Sequence, residues 1–106
     1  MVNKKALDDI INQVLDNLKK KIRISEAFVF GSYAVGKPNM WSDIDLAIFS
    51  PDVEDWTIER RAELAIDIKL HCNANVELHI FSTEALSQAR PTNFYGYIIE
   101  NGRKVA

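Results

Sequence analysis

The chain has 106 residues, of which 47% are hydrophobic and 26% charged, and its net charge is −2. This length predicts one domain over residues 1–106, and the slightly acidic balance argues against strong nucleic-acid binding. A single cysteine, Cys72, excludes an internal disulfide and a cysteine-based zinc site. No apolar run approaches the roughly 20 residues of a membrane helix, and the polar start is unlike an export signal. We therefore expect a cytoplasmic protein without a membrane partner.

The first half of the chain predicts a helix and two strands. Residues 4–22 carry apolar side chains at three- and four-residue steps, which is typical of an amphipathic helix. Ala27–Phe30 predicts a short buried strand that ends at Gly31. Residues 31–42 are rich in turn formers and predict a turn or short helix followed by a loop. Ile44–Phe49 predicts the second strand.

The second half of the chain predicts one strand with helices before and after it. In chain order we expect a helix from near Asp55 to His71 with Asn73 as its stop, a strand at Val76–Phe81, a helix start capped by Ser82, and a last helix at Asn93–Glu100 before a short tail. Helices and strands in this order predict a single α/β domain of the α+β kind. Its helices would pack on a small mixed sheet.

Two aspartates one residue apart, Asp43 and Asp45, stand at the start of the second predicted strand. Residues two apart in a strand point to the same face, with Cα atoms about 6.6 Å apart. At an effective dielectric of about 20 their repulsion is on the order of 2 kcal/mol, which bound cations would offset. Such oxygen ligands suit two Mg²⁺ ions, or Mn²⁺, with substrate phosphates completing the coordination.

A glycine–serine pair, Gly31 and Ser32, directly follows the first predicted strand. Glycine lets the backbone approach a phosphate closely, serine adds a hydroxyl, and a helix beginning there would add free N–H groups. The Gly-Lys-Ser/Thr signature of a P-loop is absent, which excludes that class of nucleotide-binding protein. Lys37 and Ser42 in the following loop are further candidates for nucleotide contacts, although a lysine in a loop is often only solvated.

A third carboxylate, Glu77, lies on the third predicted strand. Alternation along that strand places Glu77 on the same face as His79 and Phe81, which is unusual for a fully solvated face. Glu77 is therefore the candidate to complete the metal coordination, with an exposed edge-strand glutamate as the alternative. His79 either supports this site or packs as a partly buried histidine.

This arrangement resembles the minimal nucleotidyltransferases of the DNA polymerase β superfamily. Their pattern is Gly-Ser, ten residues, Asp-x-Asp, and a carboxylate on a later strand. Here Gly31-Ser32, residues 33–42 and Asp43-Ile44-Asp45 reproduce that spacing without a gap. The resemblance covers about residues 25–82 in specific order and implies a polymerase-β-like nucleotidyltransferase fold.

The resemblance also implies roles for these residues. Gly31 and Ser32 would hold the β- and γ-phosphates, Asp43 and Asp45 would ligate both metal ions, and Glu77 would ligate the ion on the nucleophile side. In addition, the sequence departs from the family pattern at two positions. Val35 stands where many relatives have a basic residue, which would remove a phosphate or partner contact, and Glu77 stands where aspartate is frequent, which would shift the metal geometry.

The activity implied by the resemblance is Mg²⁺-dependent transfer of AMP from ATP, or of another nucleotide from its triphosphate, to a hydroxyl. A domain of this size has no room for the acceptor-binding domain of larger relatives, so the acceptor would come from a partner, a second subunit of a homo-oligomer, or an open site. The resemblance points to a small helical toxin of the HEPN class, adenylylated on tyrosine by its antitoxin. Two alternatives stay open: a module that only masks such a partner, and a transferase acting on a small molecule such as an aminoglycoside.

Overall fold

The structure, a computed structural model, describes residues 2–72 and 74–106. Three single-turn or short 3₁₀ helices, at Gly31–Tyr33, Pro51–Val53 and Thr83–Gln88, connect the main elements. The α-helices are α1 (Lys4–Lys19), α2 (Ile58–Leu70) and α3 (Phe94–Asn101), and the strands are β1 (Glu26–Phe30), β2 (Ile44–Ser50), β3 (Val76–Ser82) and β4 (Arg103–Lys104).

The four strands form one mixed sheet in the order β3-β2-β1-β4, which confirms the predicted α/β architecture. β1 pairs antiparallel with β2 and with β4, whereas β2 and β3 run parallel. The parallel register sets Asp45 opposite Glu77, and the antiparallel register sets Asp45 opposite Phe30. Three strands thus bring the candidate site residues to one end of the sheet.

Each face of the sheet is covered by apolar side chains. On one face, buried residues of α1 and α2 pack against Ile44, Leu46 and Ile48 of β2. On the other face, Ala47 and Phe49 belong to a smaller cluster that α3 covers. Because β2 is buried on both faces along most of its length, it holds Asp45 on a rigid support.

Two helix boundaries differ from those that the apolar pattern predicts. α1 ends at Lys19 rather than residue 22, although Ile22 remains in the core. α2 begins after Thr57, whose side chain accepts a hydrogen bond from the Arg60 N–H, and not near Asp55, because a 3₁₀ turn occupies the segment before it. Ser82 caps a helix as predicted, but that helix is of the 3₁₀ type. The predicted stop at Asn73 lies outside the described residues.

The predicted short tail is wrong, because the chain returns to the sheet as β4. Arg103 and Lys104 pair with Val29 and Phe28 of β1. Gly102 makes the turn into this strand, where a side chain would collide with the Ile98 carbonyl. A two-residue strand carries no periodic pattern that sequence analysis could detect. Within the described residues, no helix is both long and apolar enough to cross a membrane.

Candidate active site

Asp45 is the central carboxylate of the site. It lies on β2, half-buried, between Phe30 of β1 and Glu77 of β3. Burial raises the pKa of Asp45, and the charge of Glu77 raises it further; His79 opposes the rise and Asp43 adds to it. The carboxylate is therefore held where its negative charge is unfavourable without a compensating cation.

Gly31 lies directly against the Asp45 side chain. Its φ angle is +71°, a left-handed conformation that glycine adopts without strain. A Cβ at this position would also collide with Oδ2 of Asp45, which lies directly against the glycine. The turn after β1 and the carboxylate on β2 are thus in contact. Both the backbone angle and the close approach require glycine here.

Asp45, Glu77 and His79 form a compact cluster. One oxygen of each carboxylate and one nitrogen of the imidazole all lie within 4.8 Å of one another. Oxygen and nitrogen ligands bind divalent cations at about 2.0–2.2 Å, which places neighbouring ligand atoms about 3 Å apart and opposite ones slightly over 4 Å apart. The donor set and its spacing therefore fit a divalent cation with little adjustment.

His79 is the residue whose importance sequence analysis underestimated. Its Nε2 lies 3.7 Å from Oε1 of Glu77, and its ring packs against Phe30, Phe81 and Phe94 at centroid distances of 5.3–6.3 Å. It is thus both a packing histidine and a member of the polar cluster. The alternation along β3 placed it on the face of Glu77; the sequence did not reveal that α3 would bring Phe94 over the same ring.

Asp43 lies just before β2 rather than within it, and it is half-buried. Among the described residues, the compact cluster contains Asp45, Glu77 and His79 and leaves Asp43 outside. Its charge still contributes to the raised pKa of Asp45, so the two carboxylates interact. The three predicted ligands Asp43, Asp45 and Glu77 therefore share one end of the sheet, with Asp43 at its margin.

The predicted nucleotide contacts have different surroundings. Ser32 is half-buried in the 3₁₀ turn that starts at Gly31, so this helix is a single turn and not the longer helix that would carry a strong dipole. Ser42 accepts a hydrogen bond from the Asn39 N–H at 2.8 Å and thereby closes the loop before Asp43. Lys37 is exposed in the same loop.

Large apolar side chains are exposed in the segment between the glycine turn and Asp43. Trp41 is 80% and Met40 70% exposed, and Val35 is half-exposed. Their loop is not loose: the Asn39 side chain accepts from the Trp41 N–H at 2.9 Å, and the Ser42 hydroxyl closes the turn. A structured loop that presents apolar groups to solvent is typical of a surface that contacts another protein.

The mixed sheet and the glycine turn set against an acidic cluster define a nucleotidyltransferase. The family described as Polymerase beta, Nucleotidyltransferase matches residues 12–105, and the chain belongs to this family. It is 30% identical over 103 residues to a protein of Methanocaldococcus jannaschii that is provisionally named a protein adenylyltransferase, and the match covers 97% of each chain.

Solved structures whose sequences are less similar to this chain share its fold. A protein of Sulfolobus solfataricus, provisionally named a nucleotidyltransferase, superposes with a TM-score of 0.67 at 13% identity, over 92% of this chain and 78% of that one. A toxin–antitoxin structure with AMP-PNP gives a TM-score of 0.64 at 22% identity, over 88% and 69%. A mutant of the MntA-HpeT toxin–antitoxin gives 0.58 at 23%, over 100% and 73%.

Proposed function

We propose that this protein is an antitoxin that transfers AMP from ATP to a tyrosine hydroxyl of a small helical HEPN-type toxin, in a reaction that requires Mg²⁺. The observation that carries the proposal is the contact of Gly31 with Asp45 beside Glu77. It supports a turn that binds phosphate next to a cluster that binds cations. The names of the similar proteins support a protein as the acceptor. One of them is a protein adenylyltransferase by name, and others are toxin–antitoxin complexes.

In the proposed reaction the acceptor oxygen attacks the α-phosphorus in line, the bond between the α-phosphorus and the bridging oxygen breaks, and pyrophosphate leaves. Gly31 and Ser32 bind the β- and γ-phosphates and orient the triphosphate. Asp43, Asp45 and Glu77 would hold two cations. When bound, such ions neutralise the triphosphate charge and lower the pKa of the attacking hydroxyl. Solvent reaches the half-exposed Glu77 carboxylate and accepts the released proton.

The exposed apolar residues near the site favour a protein as the acceptor over a small polar molecule. Met40 and Trp41 are exposed on a structured loop that leads to Asp43. A polyhydroxylated acceptor such as an aminoglycoside would be bound by polar and acidic groups, whereas apolar side chains at this position suit a protein surface. The same residues would serve a homo-oligomer, in which a second subunit would provide the acceptor.

The test uses ATP labelled at the α-phosphate, Mg²⁺ and an extract of the source cells. The wild-type protein is expected to label one protein band, and mass spectrometry is expected to find AMP on a tyrosine of that band. The Asp43→Asn/Asp45→Asn variant is expected to give no label. A matched control, Asp9→Asn/Asp16→Asn, removes two exposed carboxylates of α1 and should label normally.

A masking module is the second candidate, and Val35 and Glu77, the two departures from the family pattern, favour it. Masking predicts that the Asp43→Asn/Asp45→Asn variant still co-purifies with its partner and still protects cells from it. Adenylylation predicts that this variant binds the partner but fails to neutralise it. Label found only on a small molecule would contradict both candidates and support the small-molecule transferase.

A further inference from the structure

We propose that His79 is a ligand of the cation at this site and that its imidazole shifts the site's preference from Mg²⁺ towards transition-metal ions such as Mn²⁺. The inference rests on the proposed cation dependence. It concerns a residue that is separate from the three carboxylates, and it assigns a metal specificity that those carboxylates alone would not give.

The distances favour coordination over simple proximity. Nε2 of His79 lies 3.7 Å from Oε1 of Glu77. One ligand atom from each of His79, Glu77 and Asp45 lies within 4.8 Å of the other two. Two ligands of one cation lie between about 3 and slightly over 4 Å apart, given bonds of 2.0–2.2 Å. The 3.7 Å separation falls inside that interval, and small side-chain rotations bring in the third atom.

The orientation of His79 is fixed by its neighbours. Phe30, Phe81 and Phe94 each pack against the imidazole ring, with Phe81 nearly parallel to it at an interplanar angle of 17°. A ring restrained in this way loses little conformational freedom on binding a cation. The side chain nevertheless remains 31% exposed, and its Nε2 lies 3.7 Å from Oε1 of Glu77. The aromatic packing therefore presents the nitrogen to the two carboxylates.

The chemistry of the donor set then determines selectivity. Mg²⁺ binds oxygen ligands and keeps several waters, so a nitrogen ligand gains it little. Imidazole binds first-row transition metals more strongly than it binds Mg²⁺, and Mn²⁺, at the weak end of that series, still gains more from a nitrogen ligand than Mg²⁺ does. Mn²⁺ accepts nitrogen while tolerating the carboxylates and phosphate oxygens that Mg²⁺ uses. A site with two carboxylates and one imidazole should therefore have a higher ratio of Mn²⁺ to Mg²⁺ affinity than the same site without His79.

The experiment measures Mn²⁺ binding by electron paramagnetic resonance. Pulsed spectra of the Mn²⁺-loaded protein are expected to show coupling to a ¹⁴N nucleus in the wild type and to lose it in His79→Phe, which keeps an aromatic ring in the stack. His71→Phe, a change of the exposed histidine at the end of α2, should retain the coupling. We expect His79→Phe to raise the Kd of Mn²⁺ by about tenfold or more, and that of Mg²⁺, measured by competition, by less than about threefold.

Several results would overturn the inference. The first is a wild-type spectrum without nitrogen coupling, and the second is coupling that survives in His79→Phe. The third is an equal loss of Mn²⁺ and Mg²⁺ affinity in a folded His79→Phe variant, which would make His79 only a packing residue. Transfer from labelled ATP is measured in parallel. A wild-type protein that transfers AMP but shows no nitrogen coupling overturns the ligand assignment alone. Absent transfer in a wild-type protein that shows the coupling overturns the proposed function and leaves the ligand assignment in place.

Discussion

Asp45 and Glu77 lie side by side because β2 and β3 run parallel with these two residues in register. Two carboxylates at neighbouring positions repel each other, and Asp45 is in addition partly removed from water. The fold therefore tolerates an unfavourable charge pair at one end of the sheet. Such local destabilisation is typical of sites whose purpose is to bind a cation.

We expect Asp45→Asn to stabilise the protein in the absence of metal while abolishing its activity. A raised pKa in the folded state means that ionised Asp45 costs stability. This cost is complete above the raised pKa and disappears below the ordinary value near 3.9. The melting temperature of the variant in EDTA should therefore exceed that of the wild type at pH 7, with the difference vanishing towards pH 3. Transfer should fall by at least about a hundredfold.

Asp9→Asn is the matched control for Asp45→Asn, because it removes an exposed carboxylate of α1. It should change neither the melting temperature in EDTA nor the transfer rate. A lower melting temperature for Asp45→Asn at neutral pH would contradict the account of a strained carboxylate pair.

Gly31→Ala and Gly36→Ala form a pair that separates backbone strain from the contact with Asp45. Both glycines have positive φ, at +71° and +74°, but a Cβ meets Asp45 at the first position and nothing within 4 Å at the second. Gly36→Ala should cost about 1–2 kcal/mol of unfolding free energy through backbone strain alone. Gly31→Ala should cost more and should also displace the Asp45 carboxylate.

Denaturant unfolding and Mn²⁺ titration of both glycine variants provide the measurement. Gly31→Ala is expected to weaken Mn²⁺ binding, and Gly36→Ala is expected to leave it close to that of the wild type. Equal Mn²⁺ affinities in the two variants would show that Gly31 does not position Asp45.

Much of this site could be predicted from the sequence because the motif is local. Gly31-Ser32 directly follows β1, Asp43-Ile44-Asp45 stands at the start of β2, and alternation on the third strand selects Glu77. What could not be predicted depends on contacts between distant residues. The packing of Phe94 on His79 and the pairing of Arg103 with Val29 join segments whose own patterns do not indicate these contacts. The single-turn helix at Gly31 agrees with the predicted turn or short helix.

An ion pair away from the site gives a pH-dependent test of the fold. Asp52 accepts hydrogen bonds from the Arg23 backbone N–H at 2.7 Å and from its guanidinium at 2.7 and 3.0 Å. The hydrogen bonds from Arg23 lower the pKa of Asp52. The stabilisation is therefore present above the ordinary aspartate pKa and is lost as pH falls through the lowered value.

Asp52→Asn should lower the melting temperature at pH 7, and the deficit should shrink as pH falls below 4. The exposed Asp55→Asn serves as the control and should show little change at either pH. Because the Arg23 side chain is largely exposed, added salt should reduce the deficit. A deficit of the same size at low pH would show that Asp52 acts through the shape of the turn and not through its charge.

Ser32 and Ser42 both lie in the motif, but the structure gives them different contacts. The Ser42 hydroxyl accepts from the Asn39 N–H within the loop, while Ser32 is in the turn beside Asp45. We expect Ser42→Ala to cost about 1 kcal/mol of unfolding free energy and to reduce nucleotide affinity only slightly. Ser32→Ala should leave the unfolding free energy nearly unchanged and weaken nucleotide binding.

Thermal unfolding with Mg²⁺ and AMP-PNP distinguishes the two serines. Ligand at ten times its Kd stabilises the folded state by about 1.4 kcal/mol, which corresponds to a rise of several degrees for a domain of this size. The wild type and Ser42→Ala should both show this rise, the latter from a lower starting temperature. Ser32→Ala should start at the wild-type temperature and show a much smaller rise at the same ligand concentration. If Ser42→Ala instead lost the ligand-induced rise while keeping its starting temperature, the nucleotide would contact Ser42, and the loop hydrogen bond would not be its main role.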